Sequence, residues 1–95
     1  MKTTEKRLCQ LDKLHKEARD IFERKNKDYA DSFAKFGVVG VVVRLGDKLD
    51  RCASISRSGI SLVDDEKLRD TLIDMHNYSA MALMLLDEVE NNDKT

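Results

Sequence analysis

The stretch from Phe36 to Ile55 constrains the fold of this chain most, because its first half is apolar and its second half is charged. Its opening run, FGVVGVVV, is followed by Asp47 and Asp50. At about 100° per residue, a helix here carries one continuous apolar stripe and places the two acids opposite it, together with Val39 and Val43. Apolar surface on two sides predicts that the helix is covered on both. The stripe consists of Val38, Val41, Val42, Leu45, Leu49 and Cys52.

A β-strand is the competing structure for VVGVVV, because β-branched residues favour strands. No other segment supplies a partner strand, and a lone strand is not stable. The spacing of Leu45, Leu49 and Cys52 is helical. The sequence therefore predicts one helix from about Phe36 to Ser56. Its glycines each cost roughly 1 kcal/mol relative to Ala, which favours a close approach of another backbone or a ligand. They are Gly37, Gly40 and Gly46.

The composition predicts one all-α domain spanning residues 1–95. The chain has no Pro and is 37% charged, which favours long surface helices around a single core. Lys and Arg number 17 against 18 Asp and Glu, so we expect no nucleic-acid partner. The apolar run is too short to cross a membrane, so we expect no membrane partner. Cys9 and Cys52 lack metal-motif spacing, and MKTTEKR precedes no apolar segment, so we expect a cytoplasmic protein with reduced thiols.

Two further helices flank the central one. The first is predicted from Thr3 or Thr4 to about Lys25, with an apolar stripe of Leu8, Leu11, His15, Ala18 and Phe22. The third is predicted from about Asp65 to Glu90, after a linker in which Gly59 can cap one helix and Ser61 or Asp64 the next. Its main stripe is Leu68, Leu72, Met75, Ser79, Ala82, Leu83 and Leu86. The opposite face carries Glu66, Asp70, Asn77, Met81 and Met84, with Asp74 at its edge.

The segment from Lys25 to Phe33, KNKDYADSF, loses the apolar periodicity and predicts a connection. It is either a plain polar loop or part of a nucleotide site. Lys25, Asn26, Asp28 and Tyr29 offer a cation, an amide, a carboxylate and a stacking ring, and this set suits a nucleotide.

Carboxylates on the second and third helices lie beside apolar surface, and this arrangement suggests a cation site. Acids brought together repel one another unless a cation compensates them, and oxygen ligands suit Mg²⁺ or Mn²⁺ rather than zinc. The alternative is that each acid is solvated or paired with a base such as Lys48 or Arg51. The candidate metal ligands are Asp47, Asp50, Glu66, Asp70 and Asp74.

Three strings together, KNKDYADSF, RLGDKLDR and LRDTLIDMHNYSAMAL, resemble the MazG-like all-α nucleoside triphosphate pyrophosphohydrolases, most closely the small phage and bacterial members associated with nucleotide modification. The resemblance implies a helical bundle, completed by dimerisation or as a dimer of dimers. It implies Mg²⁺-dependent hydrolysis of a nucleoside triphosphate to the monophosphate and pyrophosphate. The implied role is nucleotide-pool control or nucleotide modification, with a purine deoxynucleotide such as dGTP as one candidate substrate.

The resemblance also implies roles for individual residues. The family's first acidic pair falls on Asp47 and Asp50, and its second pair ends at Asp70. Lys67 occupies the position three before Asp70, so Glu66, one turn before, stands in for the missing acid, and Asp74 is a further candidate. The implied catalytic residues are Asp47, Asp50, Lys48 and Arg51, the two cations contacting phosphate. The implied nucleotide-binding residues are Lys25, Asn26, Asp28, Tyr29 and Asn77.

Two other functions stay open. One is a non-catalytic helical dimerisation module with salt-bridged acids, and the other is a relative that binds nucleotides without cleaving them. Val39, Val43, Met81 and Met84 supply more apolar surface than three helices of one chain cover. We therefore expect a homodimer or homotetramer.

Overall fold

The computed structural model describes residues 2–57 and 65–93, and the side chains of residues 2–54 and 68–91. This part is helical almost throughout, and the predicted all-α class with three long helices is confirmed. Helix α1 spans Thr3–Tyr29, a short 3-10 helix spans Ser32–Phe36, α2 spans Gly37–Arg57 and α3 spans Asp65–Asp93. The predicted caps Gly59, Ser61 and Asp64 and the side chain of Glu66 lie outside the described residues. None of the described helices combines the length and the hydropathy that a bilayer crossing requires.

The chain divides into two compact units, Met1–Ala30 and Asp31–Thr95. Helix α1 belongs to the first unit and continues to Tyr29, past the predicted end at Lys25. The ion pair between Lys27 Nζ and Glu23 Oε1, at 3.2 Å, supports its last turns. Ala30 then adopts a left-handed conformation, and its N–H donates to the carbonyl of Asn26. The apolar periodicity fades in this region because the turns are mostly exposed, and not because the helix ends.

In the second unit, α2 and α3 run antiparallel. Val41 near the start of α2 lies in one cluster with Ala82 and Leu85 of α3. Further along α2, the Sγ atom of Cys52 lies 3.7 Å from the Sδ atom of Met75, which comes earlier in α3. Residues later in α2 thus contact residues earlier in α3, as antiparallel helices require. Around the cluster pack Phe33, Val38, Tyr78 and Met81.

The antiparallel contact gives the helix pair two distinct sides. Residues that follow a contact residue by one position are rotated about 100° from the contact line, and on antiparallel helices this rotation leads to the same side. Val42 follows Val41, and Leu83 follows Ala82, so both lie on one side of the pair. Other large apolar residues share this side, and all of them are exposed. We call this surface the apolar face: Val42, Leu49, Leu72, Leu83 and Leu86.

This geometry corrects the predicted core stripe of α3. Leu72, Leu83 and Leu86 were expected to face the core, but they are exposed, whereas Thr71 and Leu85 are buried. Helix α3 carries two adjacent apolar stripes, and α2 covers only one of them. The prediction for α2 is closer, because Val41 and Cys52 are buried and Val38 and Leu45 are half-buried. Its bounds differ by one residue at each end.

Gly40 is required by a contact at the start of α2. A Cβ atom on Gly40 would lie 2.6 Å from the Cβ atom of Phe36, which is closer than real Cβ contacts. The Phe36 side chain therefore occupies the space that any larger residue at position 40 would need. Gly37 has a positive φ of 68° where the 3-10 helix passes into α2, a conformation that Gly adopts without strain. Gly46 has open space around its Cα.

We predict opposite effects for two Gly to Ala substitutions in α2. Gly40→Ala should lower the free energy of unfolding by about 1–3 kcal/mol, because the added methyl group displaces Phe36. Gly46→Ala is the matched control and should raise it by roughly 0.5–1 kcal/mol through helix propensity. Urea denaturation of both variants is the measurement. Equal stability of the two variants would contradict the assigned contact.

Candidate nucleotide and metal site

The side of the helix pair opposite the apolar face is polar. Residues that are rotated from the contact line in the opposite sense lie on this side of the helix pair. They are Asp47 and Arg51 on α2, and Asp70, Asp74 and Asn77 on α3. Asp50 lies three residues after Asp47 and points away from α3 at the edge of this side. We call this surface the polar face. Most of the residues predicted to bind metal and phosphate thus share one side of the helix pair.

An ion pair joins α2 to α3 on the polar face. The Nζ atom of Lys48 lies 3.4 Å from Oδ2 of Asp74, and the two side chains are 28% and 22% exposed. Because they are largely shielded from water, this attraction is screened less than that of a surface pair. The pair also shows that Asp74 is level with the segment from Asp47 to Asp50. Asp70 lies one turn nearer the start of α3, about 6 Å along the axis.

The predicted metal ligands differ in their surroundings. Asp47, Asp50 and Asp70 are exposed, and Asp74 is half-buried. Among the side chains that the structure describes, no three His, Cys, Asp or Glu residues are grouped closely enough to hold a metal ion. The side chain of Glu66 is not among those that the structure describes. An oxygen-only donor set on two neighbouring helices still fits Mg²⁺ chemically, and the five-acid ligand set stays a prediction.

The predicted cations lie beside these acids. Lys48 is half-buried and bound to Asp74, whereas Arg51 is exposed. Sequence reasoning missed a third cation, Arg44, which precedes Lys48 by four residues and so lies on the same stripe of α2. Its Cζ atom lies 4.4 Å from the centroid of the Phe36 ring, a cation–π distance. The spacing i, i+4, i+7 was the signal that could have revealed it.

The predicted nucleotide-binding residues are divided between the two units. Lys25, Asn26, Asp28 and Tyr29 lie on the last two turns of α1 and not in a loop. Asn26 is half-buried and lines an open groove along α1, and the ring of Tyr29 is 67% exposed. Asn77 is on α3, and a shared base and sugar pocket stays a prediction.

Asn77 has a role within α3 that sequence reasoning did not anticipate. It is buried, and its Oδ1 atom lies 3.1 Å from Nδ1 of the neighbouring His76. Buried amides need hydrogen-bond partners, so this contact helps to satisfy the side chain. Any contact of Asn77 with a ligand must therefore compete with, or be positioned by, His76.

Comparison with known proteins gives one family. The family described as nucleotide modification associated domain 1 matches residues 25–86, which is well over half of the chain. This match begins at Lys25 and includes the whole of α2 and most of α3. Comparisons with curated proteins and with solved structures give no match. The chain belongs to the nucleotide modification associated domain 1 family.

Proposed function

We propose that this protein is a Mg²⁺-dependent nucleoside triphosphate pyrophosphohydrolase that acts in nucleotide modification or nucleotide-pool control. The observation that carries the proposal is the polar face, where acids from two antiparallel helices lie beside Lys48 and Arg51. A nucleoside triphosphate needs both kinds of group, because its phosphates bind cations and its hydrolysis needs a metal. The family's description agrees with a nucleotide as ligand. The resemblance to MazG-like enzymes supplies the reaction type.

In this proposal the carboxylates hold Mg²⁺, and Asp74 has a larger role than the sequence suggested. The ligands would be Asp47 and Asp74, one from each helix, with Asp50, Asp70 and Glu66 as further candidates. Bound Mg²⁺ would lower the pKa of a water that attacks the α-phosphorus and would neutralise the developing charge. The described contacts put Asp74 at the level of Asp50, and for this reason we rank it above Asp70.

The ion pair between Lys48 and Asp74 gives a way to couple metal and phosphate binding. In the free protein the ammonium group of Lys48 compensates the carboxylate of Asp74. With a divalent cation held by Asp74, the ammonium group of Lys48 would be able to donate to a phosphate oxygen instead. Arg51, which is exposed, would bind the same phosphate chain. Of the predicted nucleotide-binding residues, Asn77 shares the polar face with these groups.

A second candidate function rests on the apolar face. The exposed fractions of its large side chains range from 44% for Leu86 to 59% for Leu83. Such a contiguous apolar surface is typical of an interface. We propose that a second copy of the chain covers it, giving a homodimer or, by a further contact, a homotetramer. A helical dimerisation module without catalysis is the alternative that this observation favours.

The dimer proposal predicts that Leu83→Asp and Val42→Asp each give a monomer at micromolar concentration, because a charge in a buried interface is costly. Val43→Asp is the matched control, since Val43 is 60% exposed but lies off the apolar face. Light scattering is the measurement. A monomeric unmodified protein, or dissociation by Val43→Asp alone, would contradict the interface proposed.

The enzymatic proposal predicts pyrophosphate as the product when canonical ribonucleoside and deoxynucleoside triphosphates are screened with Mg²⁺. Asp47→Ala and Asp74→Ala should each lower kcat/KM by about a hundredfold or more, because the lost ligand stabilises the transition state. Asp70→Ala should have a smaller effect, and Asp12→Ala, an exposed acid on α1, should have none.

Coupled pyrophosphate and orthophosphate assays are the measurement. Orthophosphate as the product would contradict the reaction type. Nucleotide binding without any product would favour a non-catalytic nucleotide-binding protein.

A further inference from the structure

We infer that Arg44 is a further phosphate-binding residue, held in position by Phe36, and that it extends the cationic row of Lys48 and Arg51 along the polar face. This inference rests on the proposed function and adds a residue to the same site. The ligand class is a linear polyphosphate, the part that all nucleoside triphosphates share.

Arg44 lies on the same stripe of α2 as Lys48 and Arg51. Residues 44, 48 and 51 are spaced i, i+4 and i+7, so their side chains leave the helix along one stripe. Seven residues of helix span about 10 Å, which is a suitable length for several linked phosphates to meet more than one cation. The chain as a whole is close to neutral, with a formal net charge of -1. Because the overall charge supplies no attraction for an anion, binding of a polyphosphate would depend on a local row of cations such as this one.

The ring of Phe36 holds the Arg44 side chain in place. Its guanidinium lies over the ring of Phe36, with Cζ 4.4 Å from the ring centroid. Phe36 is itself held against the first turn of α2, because Gly40 has no Cβ to displace it. A guanidinium that lies against a ring keeps its in-plane N–H groups available for an anion. Gly40, Phe36 and Arg44 thus form one arrangement that positions a cation before any ligand arrives.

Arg44 and the Phe36 ring beneath it are accessible to solvent. Arg44 is exposed, and Phe36 is 47% exposed, so a ligand in solution can reach the pair. Within the described side chains, the stack on Phe36 is the contact that Arg44 makes. Lys48, by contrast, is already bound to Asp74. Arg44 and Arg51 are therefore the cations of this row that can meet a phosphate first.

The test is calorimetric titration of the full chain with inorganic tripolyphosphate and Mg²⁺, which removes base and sugar from the measurement. Arg44→Gln should weaken binding by about tenfold or more, because a charge-assisted hydrogen bond is lost. Arg44→Lys should give an intermediate loss, since the charge stays but the planar fork does not. Arg7→Gln, which removes the same charge from α1, should bind as the unmodified protein does.

Two variants test the positioning role of Phe36. Phe36→Tyr keeps the ring and should keep the affinity for tripolyphosphate, whereas Phe36→Leu should weaken it several-fold. If Arg44→Gln binds as tightly as Arg7→Gln, the inference is overturned and the proposed function stands. If the unmodified protein does not bind tripolyphosphate in the presence of Mg²⁺, the result contradicts the proposed function and, with it, this inference. If Arg44→Gln weakens binding of an uncharged nucleoside and leaves the affinity for tripolyphosphate unchanged, Arg44 is a base-stacking residue. That result would also overturn the inference.

Discussion

The contact between α2 and α3 around Val41 is the interaction on which the rest of this structure depends. Val41 is fully buried between the helices, against Ala82 and Leu85. Because the helices are antiparallel, this one line of contact sorts all remaining side chains onto two sides. One side collects exposed leucines and valines, and the other collects acids and cations. The same contact therefore creates both the apolar face, where we propose assembly, and the polar face, where we propose chemistry.

On the polar face, an ion pair joins α2 to α3. Lys48 and Asp74 compensate each other at 3.4 Å, which reduces the cost of keeping Asp74 partly shielded from water. In the function we propose, this pair would exchange partners when a divalent cation and a phosphate chain bind together. The cationic row that begins at Arg44 would then guide the phosphates to the acids. On this account, binding and catalysis share one rearrangement.

Much of this fold could be predicted from the sequence, because Leu45, Leu49 and Cys52 follow a helical spacing and no other segment supplies a partner strand. The end of α1 could not, since the exposed turns from Lys25 to Tyr29 carry no periodic signal. The core face of α3 was misassigned because two apolar stripes lie side by side, and only the position of α2 decides between them. The pairing of Lys48 with Asp74 depends on the relative level of two helices, which no spacing within one helix reveals. The family match supports a nucleotide-related role, and its residues 25–86 include Lys25 and the described polar face.

The central claim is that acids of α2 and α3 jointly hold a divalent cation at the polar face. A crystal structure with Mn²⁺ and a nucleoside triphosphate analogue blocked between the α- and β-phosphates tests it most directly. We predict an anomalous difference peak bonded to carboxylate oxygens of Asp47 and Asp74, with Lys48 turned from Asp74 to a phosphate. Nucleotide bound without a metal peak there, and with the ion pair between Lys48 and Asp74 intact, would contradict the account.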